Sequence, residues 1–436
     1  MKVDFNPQLK EWLQAWLPEA SSDIELNLVA GDASPRRYYR WFVVGHSEDL
    51  KTLEALAGAD PSAGKHPHKS GSAPNRNTIP AASRTRSLPR TLLVMDSPPS
   101  EKNEEFLAVR RILQESGIRV PRLYHADVDQ GFMILEDLGN DTLLPLLSEH
   151  SVSVWYPKAL TMLADIAGIV DADFEHHNHR ESRPTHPVDG RDSLPSATDK
   201  VVSASDKSEI NLACYDSALL QNELNLFPEW FVGRLLGVST STAFTNLFQA
   251  ISALLLESAS EQPQILVHRD FHSRNLMVID NAELATIDFQ DAVIGPITYD
   301  PVSLLKDCYV RWPRARQLAW LADHQTNLEA RGVLKPVSRA TFIRWFDLMG
   351  LQRHLKVLGI FARLCLRDGK SGYLHDLPLV LAYTREALAL YAGDDVRIAD
   401  FRDWFEVAVV PLCRDQPWFS DAHDHWLELN SLVRQP

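Results

Sequence analysis

The hydrophobic pattern changes character along the chain. "RRYYRWFVV" (residues 36–44) alternates apolar and polar positions with β-favouring side chains, and "TLLVMD" (91–96) is a short apolar run, so both predict strands. "SEKNEEFLAVRRILQESG" (100–117) has a helical period instead. Phe106, Val109 and Leu113 share a face, acids fill the first turn, Ser100 is the expected N-cap and Gly117 the expected stop. "RLYHAD" and "FMILED" then predict two strands around a turn carrying Gly131. After residue 210 the pattern is mainly helical, broken by the short strands "QILVH", "NLMVID" and "ATIDF". This layout predicts a small β-rich lobe with one helix, then a larger helical lobe.

Two stretches fit neither lobe. Residues 60–90 and 175–208 are rich in Pro, Ser, Gly and basic residues and poor in large apolar ones, so they are expected to be flexible insertions. The "HHNH" run within the second reads as a solvated loop rather than a metal site. The expected division is a lobe over 1–139 and a lobe over 140–436.

Composition narrows the function class. The chain has 436 residues, 45% hydrophobic and 23% charged, which suits more than one packed core. Its net charge of -14 argues against a broad nucleic-acid or anionic-membrane surface. The N-terminal stretch lacks a signal-peptide core, and apolar runs such as "KVLGIFARLCL" are shorter than a membrane span. Four cysteines without metal-type spacing read as reduced thiols of a cytoplasmic protein. No segment marks an obligate protein partner.

The chemistry is concentrated in "LVHRDFHSRNLMVIDNAELATIDFQD" (266–291). An isolated H-x-D is usually a cap or a turn. Here His268, Asp270 and Asn275 form H-x-D-x4-N at the end of a strand, a hairpin follows, and Asp288 stands at the hairpin's far end. Two carboxylates and an amide oxygen are hard donors of the kind magnesium takes beside phosphate and water. Phosphoryl transfer needs that set: one carboxylate to orient and deprotonate a hydroxyl, and ligands for the metal that neutralises the phosphates.

This stretch resembles the catalytic core of the aminoglycoside phosphotransferase/choline kinase family, which implies an α+β, protein-kinase-like two-lobe fold using ATP and Mg²⁺. The resemblance implies Asp270 as catalytic base, Asn275 and Asp288 as Mg²⁺ ligands, and His268 as internal support of the loop. It also implies that Asp300, in "GPITYDPVSLLKD", steadies that loop, and that backbone groups of Glu136, Asp137 and Leu138 in "ILEDLG" meet adenine. The segments "GDASPRRYYR", "VMDSPP", "LLQNELNLFPEWF", "DFHSRNLM" and "MGLQRHLKVLGIFARL" resemble the bacterial anomeric N-acetylmuramate/N-acetylglucosamine kinases. That likeness implies phosphorylation of the sugar 1-hydroxyl in cell-wall recycling.

One feature departs from kinase-like folds. The third strand carries Met95 and Asp96 where a phosphate-binding lysine is expected. "GDASPRRYYR" offers Ser34, Arg36 and Arg37 as a substitute, the arginine fork being suited to phosphate, with a solvated strand edge as the plainer reading. Only eleven residues lie between Asp288 and Asp300, too few for a peptide-docking segment, so the acceptor is expected to be a small molecule. Glu223 and Trp230 are candidate sugar contacts, and Arg353 a candidate for a lactyl carboxylate; core or surface packing explains each of them as well. Two rivals stay open: a kinase of another small alcohol (aminoglycoside, choline or homoserine), and a nucleotide-binding pseudokinase scaffold.

Overall fold

The computed structural model describes residues 6–16, 24–31, 35–42, 91–98, 100–169, 212–279 and 282–423. Ser34 and the stretches 60–90 and 175–208 lie outside them. The chain forms two compact units, one of residues 1–148 with 273–291, the other of 149–272 with 292–436.

The first unit is built on an antiparallel sheet of β1 (Leu26–Gly31), β2 (Arg37–Phe42), β3 (Thr91–Asp96), β4 (Leu123–Asp127) and β5 (Phe132–Glu136), in the order β1-β2-β3-β5-β4. Register explains its core. Tyr39, Val94 and Ile134 stand opposite one another on adjacent strands, and Trp41 faces Leu92. With Phe132 they form one buried face, against which helix α1 (Pro7–Trp16) sets Leu9, Trp12 and Leu13. Met95 and Met133 pair on the opposite face and are fully buried. Burying side chains of this size contributes about 1.5–3 kcal/mol each, enough to fix a register that a one-residue slip would invert.

Helix α2 spans Asn103–Glu115 and buries Phe106, Val109 and Leu113, as its period predicts. Its start does not follow expectation: Lys102, not Ser100, occupies the cap, and no side chain caps it. A side-chain knot takes over. Ser97 Oγ lies 2.5 Å from Asn103 Oδ1, Asn103 Nδ2 donates to the carbonyls of Ser97 and Pro98, and buried Arg36 donates to Ser97 Oγ at 3.2 Å and to the Lys102 carbonyl at 3.3 Å. Gly131, at φ +75°, completes the corner. A Cβ there would fall 1.7 Å from the Ser97 carbonyl oxygen, so no other residue fits.

The hairpin of Leu276–Ile279 and Glu283–Thr286 belongs to this first unit. It is tied in by Val278 N to Asp141 O (2.7 Å), Leu143 N to Leu276 O (2.8 Å) and Thr286 N to Arg119 O (2.9 Å). The chain therefore leaves the second unit at Ser273 and re-enters it at Ala292, a detour that one boundary after residue 139 does not express.

The second unit is helical: α3 (Val152–Ala167), α4 (Ser217–Leu224), α5 (Thr242–Ser260), α6 (Tyr299–Leu305), α7 (Arg314–Ala330), α8 (Arg339–Asp368), α9 (Leu377–Tyr391) and α10 (Val396–Trp404). A two-stranded pair, Gln264–Val267 with Val293–Pro296, delivers the catalytic-loop candidate. Helix α8 is the organiser. Ser338 Oγ accepts from Thr341 N at its start, and Gly369 at φ +69° ends it. Along its length Leu348, Leu351, Leu355 and Leu358 enter the main apolar cluster with Phe227, Phe231 and Phe401. Gly359 lets the chain at Leu226 approach so closely that a Cβ would meet its backbone at 2.4 Å. Among the described residues no helix is long and apolar enough to cross a membrane.

Candidate active site

The H-x-D loop begins where strand Gln264–Val267 ends, in the second unit. Buried Asp300, near the start of α6, accepts the backbone N–H of His268 at 2.7 Å and of Arg269 at 2.9 Å. Burial pushes its carboxyl up to about 7, even though both backbone donors pull the other way. His268 is 2% exposed and meets Phe271 edge-to-face at 5.6 Å, an interior position. Arg269 adopts φ +74°, a left-handed backbone that strains a residue with a Cβ, and the two N–H bonds to Asp300 help hold it.

Asp270 follows, with its side chain 39% exposed, while Arg353 and Lys356 beside it are buried. Burial raises its pKa. Lys356, Arg353, His272 and Arg269, in that order, more than reverse the effect, so it lies below the usual aspartate range. An ionised carboxylate with access to solvent is in the state a general base requires.

The surrounding cluster brings together residues far apart in sequence. Glu223, on α4, is only 7% exposed. It pairs with Arg269 Nη2 at 2.5 Å and Lys356 Nζ at 2.8 Å, and accepts from the Tyr215 hydroxyl. Burial alone would raise Glu223, but Lys356 and Arg269 bring it below its ordinary value. Tyr299, fully buried, accepts from Lys356 Nζ at 2.9 Å and Arg353 Nη1 at 3.2 Å. Glu223 and Arg353, read from the sequence as acceptor contacts, thus stand inside this cluster. Trp230 is arranged differently: Arg234 covers its ring at 4.0 Å and pairs with Glu229 at 3.0 Å. Tyr215, just before α4, Tyr299 on α6, and Gln352 on α8, whose Nε2 donates to Glu223 Oε2 at 3.5 Å, had no local signal, since single polar residues among apolar ones carry no motif.

The metal candidates lie in the first unit, where the hairpin brings Asn275 and Asp288 side by side. Asn275 Nδ2 donates to Asp288 Oδ2 at 3.2 Å, and Gln290 Nε2 donates to Asp288 Oδ1 at 2.6 Å. The Ile287 N–H bonds the Asn275 carbonyl at 3.0 Å, and Asp288 itself has φ +64°. The left-handed turn therefore brings one carboxylate beside one side-chain amide, whose nitrogen faces it. A carboxylate and an amide, each carrying a hard oxygen, are residue types that fit a magnesium ion taking its other ligands from phosphate and water. Phe289 stacks on Phe106 at 5.0 Å and Lys102 Nζ meets Asp291 Oδ1 at 2.6 Å, which fixes the segment after Asp288 against the start of α2.

The nucleotide candidates separate into different environments. Arg36 is 3% exposed and engaged in the knot at the α2 corner, whereas Arg37 is exposed and lies opposite Asp96 in the β2–β3 register. Met95, at the position of the absent lysine, is fully buried. In "ILEDLG", the Glu136 carboxylate takes a two-pronged bond from Arg119 (2.6 and 2.8 Å), and Asp137 takes another from Arg40 (2.6 and 2.9 Å). Asp137 also accepts from the Gly139 N–H at 3.0 Å, in the stretch that contains Leu138.

Residues 80–337 match the Phosphotransferase enzyme family. An N-acetylmuramate/N-acetylglucosamine kinase from Pseudomonas aeruginosa is 36% identical over 88% of this chain and 91% of its own length. The Pseudomonas putida protein of that name is 33% identical over 86% of this chain and 91% of its own. Among solved structures, an ethanolamine kinase from Plasmodium vivax superposes with a TM-score of 0.53 at 10% identity, covering 88% of this chain and 91% of that one. That likeness is one of fold, and it makes the α+β architecture protein-kinase-like. The chain belongs to the Phosphotransferase enzyme family.

Proposed function

We propose that the protein is an ATP-dependent kinase that phosphorylates N-acetylmuramate and N-acetylglucosamine at the anomeric hydroxyl, giving the sugar 1-phosphate. The observation that carries this reading is the 36% identity, over nearly the whole chain, to a relative named for that activity. The H-x-D-x4-N sequence, with Asp300 bonded to the loop's backbone, supports it independently.

In this mechanism Asp270 accepts the proton of the sugar O1–H as O1 attacks the γ-phosphorus in line. The O1–P bond forms, the bond from the γ-phosphorus to the β-γ bridging oxygen breaks, and ADP leaves. The base need not be strong, because an anomeric hydroxyl is more acidic than an ordinary alcohol. Asn275 and Asp288 would hold magnesium, which would supply positive charge to neutralise the nucleotide phosphates. Around the adenine, the carboxylates of Glu136 and Asp137 are committed to Arg119 and Arg40, so recognition falls to the peptide groups of 136–138. Arg37 is the candidate of its pair for the phosphates, since Arg36 is engaged elsewhere.

The test is ATP turnover with each sugar, with choline or ethanolamine, and with no acceptor, followed by ³¹P NMR of the product. Transfer to either N-acetylated sugar with loss of its reducing end is expected. Transfer to the amino alcohols, or ATP binding without turnover, would overturn the reading.

A further inference from the structure

Two buried cations, Arg353 and Lys356, and the half-buried Arg269 gather around one partly exposed carboxylate, and the reaction outlined above gives none of them a task. Arg353 has the most specific placement. Its Nη1 donates to the Arg269 carbonyl at 3.1 Å and to the Tyr299 hydroxyl at 3.2 Å, while its Nη2 lies 4.0 Å from Asp270 Oδ1. One planar guanidinium therefore bonds the peptide that precedes Asp270 and lies at ion-pair distance from the Asp270 carboxylate.

That peptide is under constraint from several sides. Arg269 is the left-handed residue of the loop, and its N–H is held by Asp300. Its carbonyl receives Ser303 Oγ at 3.3 Å as well as Arg353. Its side chain is fixed by Glu223. The direction of the Asp270 side chain follows from the orientation of this peptide.

We propose that Arg353 is a positioning residue for the general base: its guanidinium locks the Arg269–Asp270 peptide and keeps the Asp270 carboxylate ionised, and it does not meet the acceptor. Arg353 is 4% exposed and its Nη1 is taken by two protein oxygens, so it is burial that keeps the guanidinium from an incoming carboxylate. Tyr299 sets the position of Arg353 and of Lys356 through one hydroxyl. The charged and titratable groups facing Asp270 are Arg353 and Lys356 from α8, Arg269 and His272 from its own loop, Asp300 from α6, and Cys308 beyond it. Without the Arg353 charge, fewer cations oppose the burial that raises Asp270.

The inference rests on Asp270 being the base of the proposed transfer. Its test is the pH dependence of kcat in full-length Arg353→Met and Arg353→Lys, with circular dichroism to establish folding. Arg353→Met is expected to lower kcat by about 10²-fold, to move the acid limb upward by about one pH unit, and to leave both KM values within about three-fold. Arg353→Lys keeps the charge but not the fork, so its acid limb should stay in place while kcat recovers only in part. If Arg353→Met does not fold, Tyr299→Phe gives the same readout, with about a three- to ten-fold loss of kcat and a smaller upward shift. An unmoved acid limb in the folded variants overturns the proposal. So does a large rise in sugar KM at constant kcat, which would put Arg353 on the substrate. Should the wild type transfer phosphate to neither sugar, the functional reading fails separately. Arg353 is then judged on basal ATP hydrolysis, where the same kcat and pH shifts are expected and their absence refutes it.

Discussion

Two buried ionic clusters share helix α8, and they are finished in opposite ways. One is closed. Asp347 is fully buried and both its oxygens are taken, by Lys306 at 2.7 Å, Arg314 at 2.9 and 2.6 Å, and the Tyr391 hydroxyl at 2.8 Å. Burial pushes its carboxyl up, yet Lys306 and Arg314 drive it far below the ordinary aspartate range. The other is open. About two turns along the same helix, Arg353 and Lys356 join Arg269, Glu223 and Tyr299, and the cluster ends on Asp270, which remains 39% exposed. The closed cluster uses all its charge to fix helices. The open one fixes a loop and leaves one carboxylate able to take a proton. Charge burial is shared by both and does not single out the candidate base; incomplete closure does.

The largest effect expected from this contrast is on turnover. Asp270→Asn should lower kcat by roughly 10²–10⁴ and leave the melting temperature nearly unchanged. Steady-state rates with a melting curve check it, and turnover within a few-fold of wild type would remove Asp270 from the role of base. Asp347→Asn should do the reverse. Removing one partner of a buried pair costs about 3–5 kcal/mol, seen as a lower denaturant midpoint, while kcat per folded molecule is retained. Equal stability losses in the two variants would erase the distinction between closed and open.

How much of this was legible in the sequence follows from the range of the interactions. The H-x-D-x4-N run and Asp288 are identifiable because chemistry and spacing fall within one strand–loop–hairpin. The strands around Tyr39, Val94 and Ile134 are legible from alternation. Glu223 pairs with Arg269 46 positions away, and no periodic trace links a glutamate on one helix to an arginine in a distant loop. From sequence its acid face reads as solvated, but Tyr215, Arg269 and Lys356 bury it. Ser100 is a good cap by type and spacing. It loses the position because Arg36, Ser97 and Asn103 build a corner from side chains that converge only in three dimensions.

A third effect concerns pH. Burial holds His324 down to about 4, against an ordinary value of 6.5, with the Leu160 carbonyl opposing weakly. His354, stacked on Tyr383 at 4.8 Å, is held down to about 3 by burial and by nearby Lys306, Arg353 and Arg311. As pH falls below 6.5 the unfolded chain takes up protons at these positions and the folded chain does not, so stability drops as the medium is acidified. For His324 the loss accumulates between about pH 6.5 and 4 and amounts to about 3 kcal/mol. Urea midpoints across that range should slope downward in the wild type and less steeply in His324→Gln. Parallel slopes would show that His324 protonates in the folded state. Kinetics above pH 6.5 should not register the change, since His324 belongs to neither cluster.

The smallest effect separates two adjacent arginines that sequence alone could not rank. Arg36 donates to Ser97 and the Lys102 carbonyl, lies 4.0 Å from Glu101, and sits over the Phe106 ring at 5.9 Å. Its loss unties the α2 corner, so Arg36→Ala should cost about 1–3 kcal/mol of stability through the buried acceptors it leaves unsatisfied. Arg37 is exposed at the start of β2 and faces half-buried Asp96 across the strands. Its alanine variant should change stability by no more than about 0.5 kcal/mol, as exposed positions do. If Arg37 supplies the phosphate charge that Met95 cannot, Arg37→Ala should raise the ATP KM and lower kcat, leaving sugar KM unchanged, because the clamp acts on the nucleotide alone. Arg37→Lys should then recover the effect only in part, a point charge lacking the second prong of the fork. Kinetics and melting curves on both alanine variants decide the matter. Wild-type-like ATP kinetics in Arg37→Ala would return Arg37 to a plain strand-edge residue and move the search for phosphate-neutralising charge to Lys102, whose ammonium already stands 2.6 Å from Asp291, three residues beyond the metal-binding candidate Asp288.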